Sequence, residues 1–193
     1  MNIPQHSTDP EIHGNDSWFR SYMEAYRKSL FDTDVTTELT SFRDLIVETK
    51  ANGGKLIFAG NGASAAISSH AAVDFTKQCG IRSICFNEAD LITCFGNDYG
   101  YESWITEALK CYADPEDCVI LISSSGSSEN IVEAGNYCKA EEINLVTFSG
   151  FSSNNPLREL GNVNIWLESS SYNIVECTHM IWIMAVCDIL GAQ

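Results

Sequence analysis

The stretch Cys118–Asn130 constrains the fold most strongly, because a buried strand runs directly into a serine-rich turn and then a helix. Val119–Ile122 is a continuous aliphatic and β-branched run, which is typical of a strand covered on both faces in a parallel sheet. Ser123–Ser128 follows with five serines and one glycine, and Glu129–Lys139 has a helical pattern. The sequence therefore predicts a strand, a hydroxyl-rich loop and a helix in immediate succession.

The serine-rich loop predicts a site for an anion such as a phosphate monoester. The first turn of a helix has unpaired N–H groups and a partial positive charge, and serine hydroxyls add hydrogen-bond donors around it. No lysine is needed in such a site. The alternative is an ordinary loop in which a serine caps the helix. One serine is enough for capping, so the five in Ser123–Ser128 favour phosphate binding.

The rest of the chain predicts an α/β fold, a three-layer doubly wound parallel sheet preceded by an N-terminal helical hairpin. Ser17–Leu30 and Val35–Thr49 have helical patterns, and strands alternate with helices from Lys55 onward. In such sheets ligands bind beyond the carboxyl ends of the strands, where the strand order reverses. We expect a loose tail over residues 1–16, which contains His6 and His13, and a single domain over residues 17–193. The predicted strands are Lys55–Gly60, Ser83–Phe86, Val119–Ile122, Leu145–Phe148 and Val163–Trp166, and the predicted last helix is Tyr172–Leu190.

Charge and composition exclude several classes of partner. A net charge of −15 argues against nucleic acid and anionic membranes, which both need basic surfaces. We expect no membrane partner, since no apolar run reaches transmembrane length, and the first sixteen residues lack the order of a signal peptide. The eight cysteines form no CxxC pair and are expected to be reduced core thiols in a cytoplasmic protein.

A second loop with binding character follows the first predicted strand. In Gly60–Ser64 the glycines allow positive φ angles and a close approach of the backbone to a ligand. Asn61 and Ser64 supply polar groups at the same edge of the sheet. A glycine-rich turn of this kind is common in doubly wound sheets, but together with the serine-rich loop it predicts a two-loop sugar-phosphate site.

These two loops, with Phe95–Gly100 between them, resemble the sugar isomerase (SIS) domain family. The most similar branch is that of phosphoheptose isomerase, which also contains the DnaA initiator-associating protein. The resemblance runs from about Asn15 to the C-terminus. It implies a flavodoxin-like fold and a homotetramer with active sites at subunit interfaces. It also implies conversion of sedoheptulose 7-phosphate to D-glycero-D-manno-heptose 7-phosphate, a step toward bacterial lipopolysaccharide or capsule. The substrate-binding residues that it implies are Asn61, Gly62, Ser64, Asp98, Ser123, Ser124, Ser125, Ser128 and Asn173, the last in place of a family Asp.

The chain departs from this family at the catalytic positions. The family has His-x-x-Glu-Glu on the first long helix, and here His70–Asp74 ends in Asp74, so that the family's proton-transfer Glu is one methylene shorter. On the last helix the family has Gln-Glu-x-His and a second His five residues later. Glu176 stands here for the Gln, His179 for the first His and Met184 for the second. The family's acid/base histidine is therefore absent.

The remaining histidines suggest a metal site. His70 and Asp74 are four residues apart and Glu176 and His179 three apart, so each pair shares a helix face. If the two faces meet, two imidazoles and two carboxylates form a ligand set for Zn²⁺ or another divalent metal. Zinc occurs at the equivalent location among the resembling isomerases. The alternatives are helix-surface pairs and, for His179, a satisfied buried histidine.

Aldose–ketose isomerisation needs a base that moves a proton between adjacent carbons through an enediol, and an acid or Lewis acid that polarises the oxygens. We predict Asp74 as the base and His179 or Glu176 as the second group, because the thioether of Met184 transfers no proton. The leading hypothesis is a metal-assisted phosphosugar isomerase acting on sedoheptulose 7-phosphate. The alternatives are an isomerase or related enzyme for a different phosphosugar and a non-catalytic phosphosugar-binding or regulatory protein.

Overall fold

The computed structural model describes residues 16–192. The predicted tail, with His6 and His13, lies outside these residues except for Asp16, which begins the first helix. A π turn (Lys28–Asp32) continues the first helix, and a 3₁₀ turn (Pro156–Glu159) precedes the last strand. The elements are α1 (Asp16–Arg27), α2 (Thr36–Ala51), β1 (Leu56–Gly60), α3 (Ala63–Cys79), β2 (Ser83–Cys85), α4 (Ala89–Tyr99), α5 (Trp104–Tyr112), β3 (Cys118–Ser123), α6 (Glu129–Ala140), β4 (Asn144–Ser149), β5 (Val163–Trp166) and α7 (Tyr172–Gly191).

The five strands form one parallel sheet in the order β2-β1-β3-β4-β5. This order confirms the predicted doubly wound fold, and it is the flavodoxin-like order in which the direction of winding reverses between β1 and β3. Every residue of β1 and β3 is buried, which explains why these strands are continuous apolar runs in the sequence. The reversal places the ends of β1 and β3 side by side, where a ligand is expected.

Each face of the sheet is covered by its own layer of helices. Because side chains alternate along a strand, Leu56 and Phe58 point to one face and Ile57 to the other. The first face packs against α2, α3 and α7, where the Phe42 and Phe148 rings meet edge to face at 5.6 Å. The second packs against α5 and α6, with Leu109 and other aliphatic side chains. The two layers thus meet the sheet on opposite sides.

The last helix corrects the expectation that no apolar run reaches transmembrane length. α7 has 20 residues and is long and apolar enough, by length and composition alone, to cross a bilayer. In the fold it is a core helix, since Val175, Thr178 and Ile183 are fully buried and the helix packs along α3. Ile181 and Ile189 on its outer face remain about half exposed.

The cysteines only partly follow the prediction. All eight are free thiols, and Cys79, Cys118, Cys138 and Cys187 are buried as expected. The prediction of core thiols is wrong for three that lie on exposed helix faces, namely Cys94, Cys111 and Cys177.

Candidate functional site

The two predicted loops meet at the carboxyl edge of the sheet. Gly60 of β1 and Ile122 of β3 are paired in register, so the chain leaves both strands at the same level. The loops that follow enclose a small cavity of about 110 Å³. Its lining is mostly hydroxyl and amide groups, and it consists of Asn61, Ser64, Ile122, Ser123, Ser124, Ser125, Ser128, Tyr172 and Glu176.

The serine loop (Ser123–Ser128) is a tight turn in which the contact between hydroxyl groups is long. Gly126 has φ +63° and donates its N–H to Ser123 O at 3.0 Å. Ser128 directly precedes α6, yet its side chain makes no capping hydrogen bond to the helix. Its hydroxyl instead lies 3.5 Å from Ser123 Oγ. The first turn of α6 therefore keeps donors for a ligand, which favours the anion-site interpretation over simple capping.

A segment that the sequence analysis did not single out supports this turn from behind. Asn155 is buried and donates through Nδ2 to Gly150 O at 3.2 Å and to Ser152 O at 2.8 Å. A Cβ on Gly126 would collide with the Asn155 side chain. Leu157 N donates to Gly126 O at 3.1 Å. The signal available in the sequence is Asn155-Pro156, an Asn that caps a short turn with proline in its first position.

The first loop is shaped by glycines and fixed by amides. Gly62 has φ +56° and precedes α3, and a Cβ on Gly60 would meet the backbone of Ser64. Asn61 and Asn130 exchange two side-chain hydrogen bonds of 2.9 and 3.0 Å, which tie this loop to α6. Asn130 carries no recognisable motif in the sequence, although it is buried beside the cavity.

The cavity has an acidic wall that comes from α7. Ser124 Oγ donates to Glu176 Oε1 at 3.3 Å, and Tyr172 lies one turn earlier on the same helix. Burial raises the pKa of Glu176, and the hydrogen bond from Ser124 opposes part of that increase. None of the cavity-lining residues is a lysine or arginine in the part of the chain that the structure describes. Among the residues that line it, an anion here would be held by hydroxyl and N–H donors.

His179 does not reach this cavity. Its side chain is fully buried, its Nε2–H donates to Ser149 O at 3.1 Å, and its ring lies 5.6 Å from that of Phe148. Burial lowers the pKa of His179 to about 4, so the imidazole is neutral near pH 7. Met184 lies further along α7 and is partly buried against the same core. The geometry matches the alternative of a buried histidine but not of a fully satisfied one, because Nδ1 is buried and has no hydrogen-bond partner among the described residues. A proton-transfer role for His179 stays a prediction.

The predicted metal ligands do not converge within one chain. His70 Nε2 and Asp74 Oδ2 are 3.4 Å apart on α3, with His70 about half exposed. Asp74 lies ten residues beyond the cavity residue Ser64, which is about 15 Å along the helix axis. Among residues 16–192 no three or more His, Cys, Asp or Glu side chains gather closely enough to hold a metal. These residues do not fit the predicted four-ligand site within one chain, so metal binding stays a prediction.

Three other predicted substrate-binding residues lie outside the small cavity. Gly62 is in its first loop but does not line it. Asp98 is an exposed residue of α4 whose carboxylate accepts a hydrogen bond from Asn97 Nδ2 at 2.9 Å. Asn173 is exposed on α7, and its backbone carbonyl accepts from Tyr26 OH at 3.1 Å.

A larger crevice of about 640 Å³ lies between α1 and the loop before α7, with Arg20, Lys28 and Glu168 in its walls. It contains none of the predicted site residues. Size alone would favour this crevice as a ligand site. The chemistry favours the small cavity, because two strand-end loops direct several hydroxyl and amide groups toward one point there.

Comparison with known proteins agrees with this arrangement. Residues 19–150 match the SIS domain family. Phosphoheptose isomerase 2 from Campylobacter jejuni subsp. jejuni serotype O:2 is 31% identical over 170 residues, which cover 85% of this chain and 84% of that protein. The structure of a phosphoheptose isomerase from Neisseria gonorrhoeae has a TM-score of 0.80 at 21% identity and covers 90% of this chain and 96% of its own. The Vibrio vulnificus NanR protein complexed with ManNAc-6P has a TM-score of 0.66 at 14% identity and covers 93% of this chain and 63% of its own. At these identities the structural matches show a shared fold.

Proposed function

The chain belongs to the SIS domain family, and we propose that it is a phosphosugar isomerase that converts sedoheptulose 7-phosphate to D-glycero-D-manno-heptose 7-phosphate. The observation that carries the proposal is the cavity between the β1 and β3 loops. It presents four serines of the second loop together with Asn61 and Ser64. These groups match a phosphate monoester, which needs several hydrogen-bond donors at one point.

The phosphate must be held locally. With a net charge of −15, the field of the whole chain repels a dianion. The unpaired N–H groups at the start of α6, with the hydroxyls of Ser125 and Ser128, supply the attraction at short range. We therefore place the phosphate on the α6 side of the cavity and the sugar toward α7, where Ser124 and Glu176 lie.

The cavity also bears on the proposed assembly. Its volume of about 110 Å³ is well below the roughly 300–1,000 Å³ of ordinary ligand pockets, so it accommodates the phosphate end and leaves the sugar carbons outside. The missing walls would come from a neighbouring subunit. Several large apolar side chains are exposed on α1, α2, α3 and α7, as buried contacts between copies would require, namely Phe19, Met23, Val47, Val73, Ile181 and Ile189. We propose a homotetramer with its active sites between subunits.

Isomerisation removes a proton from C1 of the ketose and returns one to C2 through an enediol, while a proton also leaves the C1 hydroxyl and one reaches the C2 oxygen. Glu176 is the carboxyl group at the cavity, and burial raises its pKa, which makes its carboxylate a stronger base than an ordinary glutamate. We assign it one of these transfers.

Asp74 lies about 15 Å from Ser64 along α3, whereas an extended heptose phosphate spans roughly 9 Å. Asp74 would therefore act on a substrate held by a neighbouring copy.

A second candidate is a protein that binds a phosphosugar without turning it over. Two observations favour it: Asp74 and His179 both lie outside the cavity of their own chain, and Met184 replaces a histidine expected from the family. Such a protein would keep the serine loop and lose proton exchange.

The deciding experiment is NMR of sedoheptulose 7-phosphate incubated with the protein in D₂O, with and without Zn²⁺. Deuterium at C1 or C2 with a new aldose signal is the expected result, and Glu176→Gln should slow that exchange. Exchange without an aldose would point to another phosphosugar. Binding of the sugar phosphate with no exchange would instead establish the non-catalytic candidate, and neither binding nor exchange would overturn the substrate assignment.

A further inference from the structure

We propose that Tyr101 is a positioning residue that fixes the side-chain amide of Asn61, so that Asn61 offers an N–H donor to an oxygen of the ligand. The inference rests on the proposed function, since the ligand is taken to be a phosphosugar in the cavity between the two loops. Tyr101 itself does not line that cavity and would act only through Asn61.

The argument begins with the hydrogen bonds of Asn61. Tyr101 OH donates to Asn61 Oδ1 at 3.0 Å, and Asn130 Nδ2 donates to the same oxygen at 3.0 Å. An amide oxygen has two lone pairs, so these two donors fill its capacity. Asn61 Nδ2 in turn donates one hydrogen to Asn130 Oδ1 at 2.9 Å. Within residues 16–192 the second hydrogen on Nδ2 has no acceptor.

In this arrangement Asn61 presents a hydrogen-bond donor, and not an acceptor, to the cavity. The oxygen of Asn61 is occupied by donors from two other elements, and the free N–H is what this residue has left for a ligand. A phosphate or sugar oxygen can accept that hydrogen bond. The exchange between Asn61 and Asn130 would persist if both amides turned over together, so it does not choose an orientation by itself. Tyr101 OH donates to Asn61 Oδ1 in this structure. This hydrogen bond stabilises the orientation of the Asn61 amide in which Oδ1 faces Tyr101 and the second N–H of Nδ2 is left for the ligand.

Tyr101 is held where it can do this although its side chain is 56% exposed. It lies in the turn between α4 and α5, directly after Gly100, whose φ is +89°. Two residues later, Ser103 Oγ donates to Glu133 Oε2 of α6 at 3.0 Å. The turn is therefore attached to the same helix that carries Asn130.

The test compares the affinity of the full-length protein for sedoheptulose 7-phosphate by calorimetry with that of two variants. Tyr101→Phe removes one hydroxyl and should weaken binding about three- to tenfold, the loss expected for one hydrogen bond. Tyr112→Phe is the matched control, because Tyr112 is also about half exposed but packs on Phe86 away from the cavity. Its affinity should equal that of the unmodified protein.

A double-mutant cycle separates positioning from a general structural effect. In an Asn61→Ala background, Tyr101→Phe should have no further effect on affinity. An equal loss in both backgrounds, or no loss in the parent, would overturn the proposal.

A second readout does not depend on the proposed substrate. The side-chain amide signals of Asn61 in ¹⁵N–¹H spectra should shift in Tyr101→Phe and stay in place in Tyr112→Phe. If the unmodified protein binds no phosphosugar, the proposed function fails, and these spectra alone decide on Tyr101. Signals that coincide in Tyr101→Phe and the unmodified protein would rule out the positioning role.

Discussion

Ser124 Oγ donates a hydrogen bond of 3.3 Å to Glu176 Oε1, and this contact joins the serine loop after β3 to the second turn of α7. It places a carboxyl group against a loop that otherwise presents donors suited to an anion. The protonation state of Glu176 should therefore control how well the cavity accepts a phosphate.

Anion affinity should depend on pH through Glu176. Burial raises the pKa of Glu176, so its neutral form persists to higher pH than in an ordinary glutamate. As pH rises through that pKa the new negative charge should weaken binding of sulfate, a dianion of constant charge, by about tenfold. Calorimetry with sulfate across the acidic range measures this. Glu176→Gln should abolish the dependence, whereas the same change at the exposed Glu141 should not. A pH profile unchanged in Glu176→Gln would contradict the prediction.

Removing two hydroxyls of the serine loop should weaken phosphosugar binding. Ser125→Ala combined with Ser128→Ala deletes two hydrogen bonds, each with a net contribution of about 0.5–1.5 kcal/mol where water can replace the lost hydroxyl, or roughly 1–3 kcal/mol for the pair. We expect a loss of several-fold to a hundredfold in calorimetry with sedoheptulose 7-phosphate. Ser41→Ala on α2 is a suitable control, since that hydroxyl only bonds back to Thr37 O. Equal affinity in the double variant and the control would remove the phosphate from this loop.

Gly126→Ala should damage both the serine loop and its support. The residue has φ +63°, and the added Cβ would collide with Asn155. We expect about 1–3 kcal/mol lower free energy of unfolding, from the backbone strain alone, and loss of anion binding. Urea unfolding and calorimetry provide the two measurements. Gly96→Ala in α4 is the matched control, because a Cβ there meets no atom within 4 Å and alanine suits a helix interior better than glycine. A Gly126→Ala protein as stable as this control would show that the turn tolerates a side chain.

Stability should fall in mild acid because of His179. Its pKa is lowered from 6.5 to about 4 by burial, so the folded state binds fewer protons than the unfolded state between these values. The stabilisation is present above the unfolded pKa and is lost as pH falls toward the folded one. Integrated over about pH 7 to 5, the loss in free energy of unfolding is roughly 2 kcal/mol. His179→Gln should flatten this part of the urea-unfolding profile. Parallel profiles for the parent and His179→Gln would contradict the assignment.

The sheet and its ligand edge could be predicted from the sequence because the determining signals are local. The buried runs at Leu56–Gly60 and Cys118–Ser123, each followed by a glycine- or serine-containing loop, identify β1 and β3 and the edge where they end. Helix boundaries are less well marked in the sequence, since Gly96 is expected to interrupt a helix, yet α4 continues through it to Tyr99. A single glycine lowers helix propensity by only about 1 kcal/mol, which the neighbouring residues overcome.

The arrangement of the helix faces could not be predicted in the same way. Sequence spacing shows that Glu176 and His179 are close on one helix, but not which of them the packing of α7 turns toward the cavity. In the fold Glu176 lies at the cavity and His179 is in the core, although three residues differ by only about 60° around a helix. Asn155 and Tyr101 were missed for another reason: each acts on a loop far away in the chain, and no local pattern marks such contacts.

The position of the cavity has a consequence for how the protein holds together. Its two loops begin α3 and α6, which cover opposite faces of the sheet. A ligand bound between Asn61 and the serine loop would therefore contact the first turns of helices from both layers. Its binding free energy would add to the cost of detaching either layer, because opening on one side also loses the ligand. Bound substrate would thus couple the two helix layers, so that their local unfolding becomes cooperative.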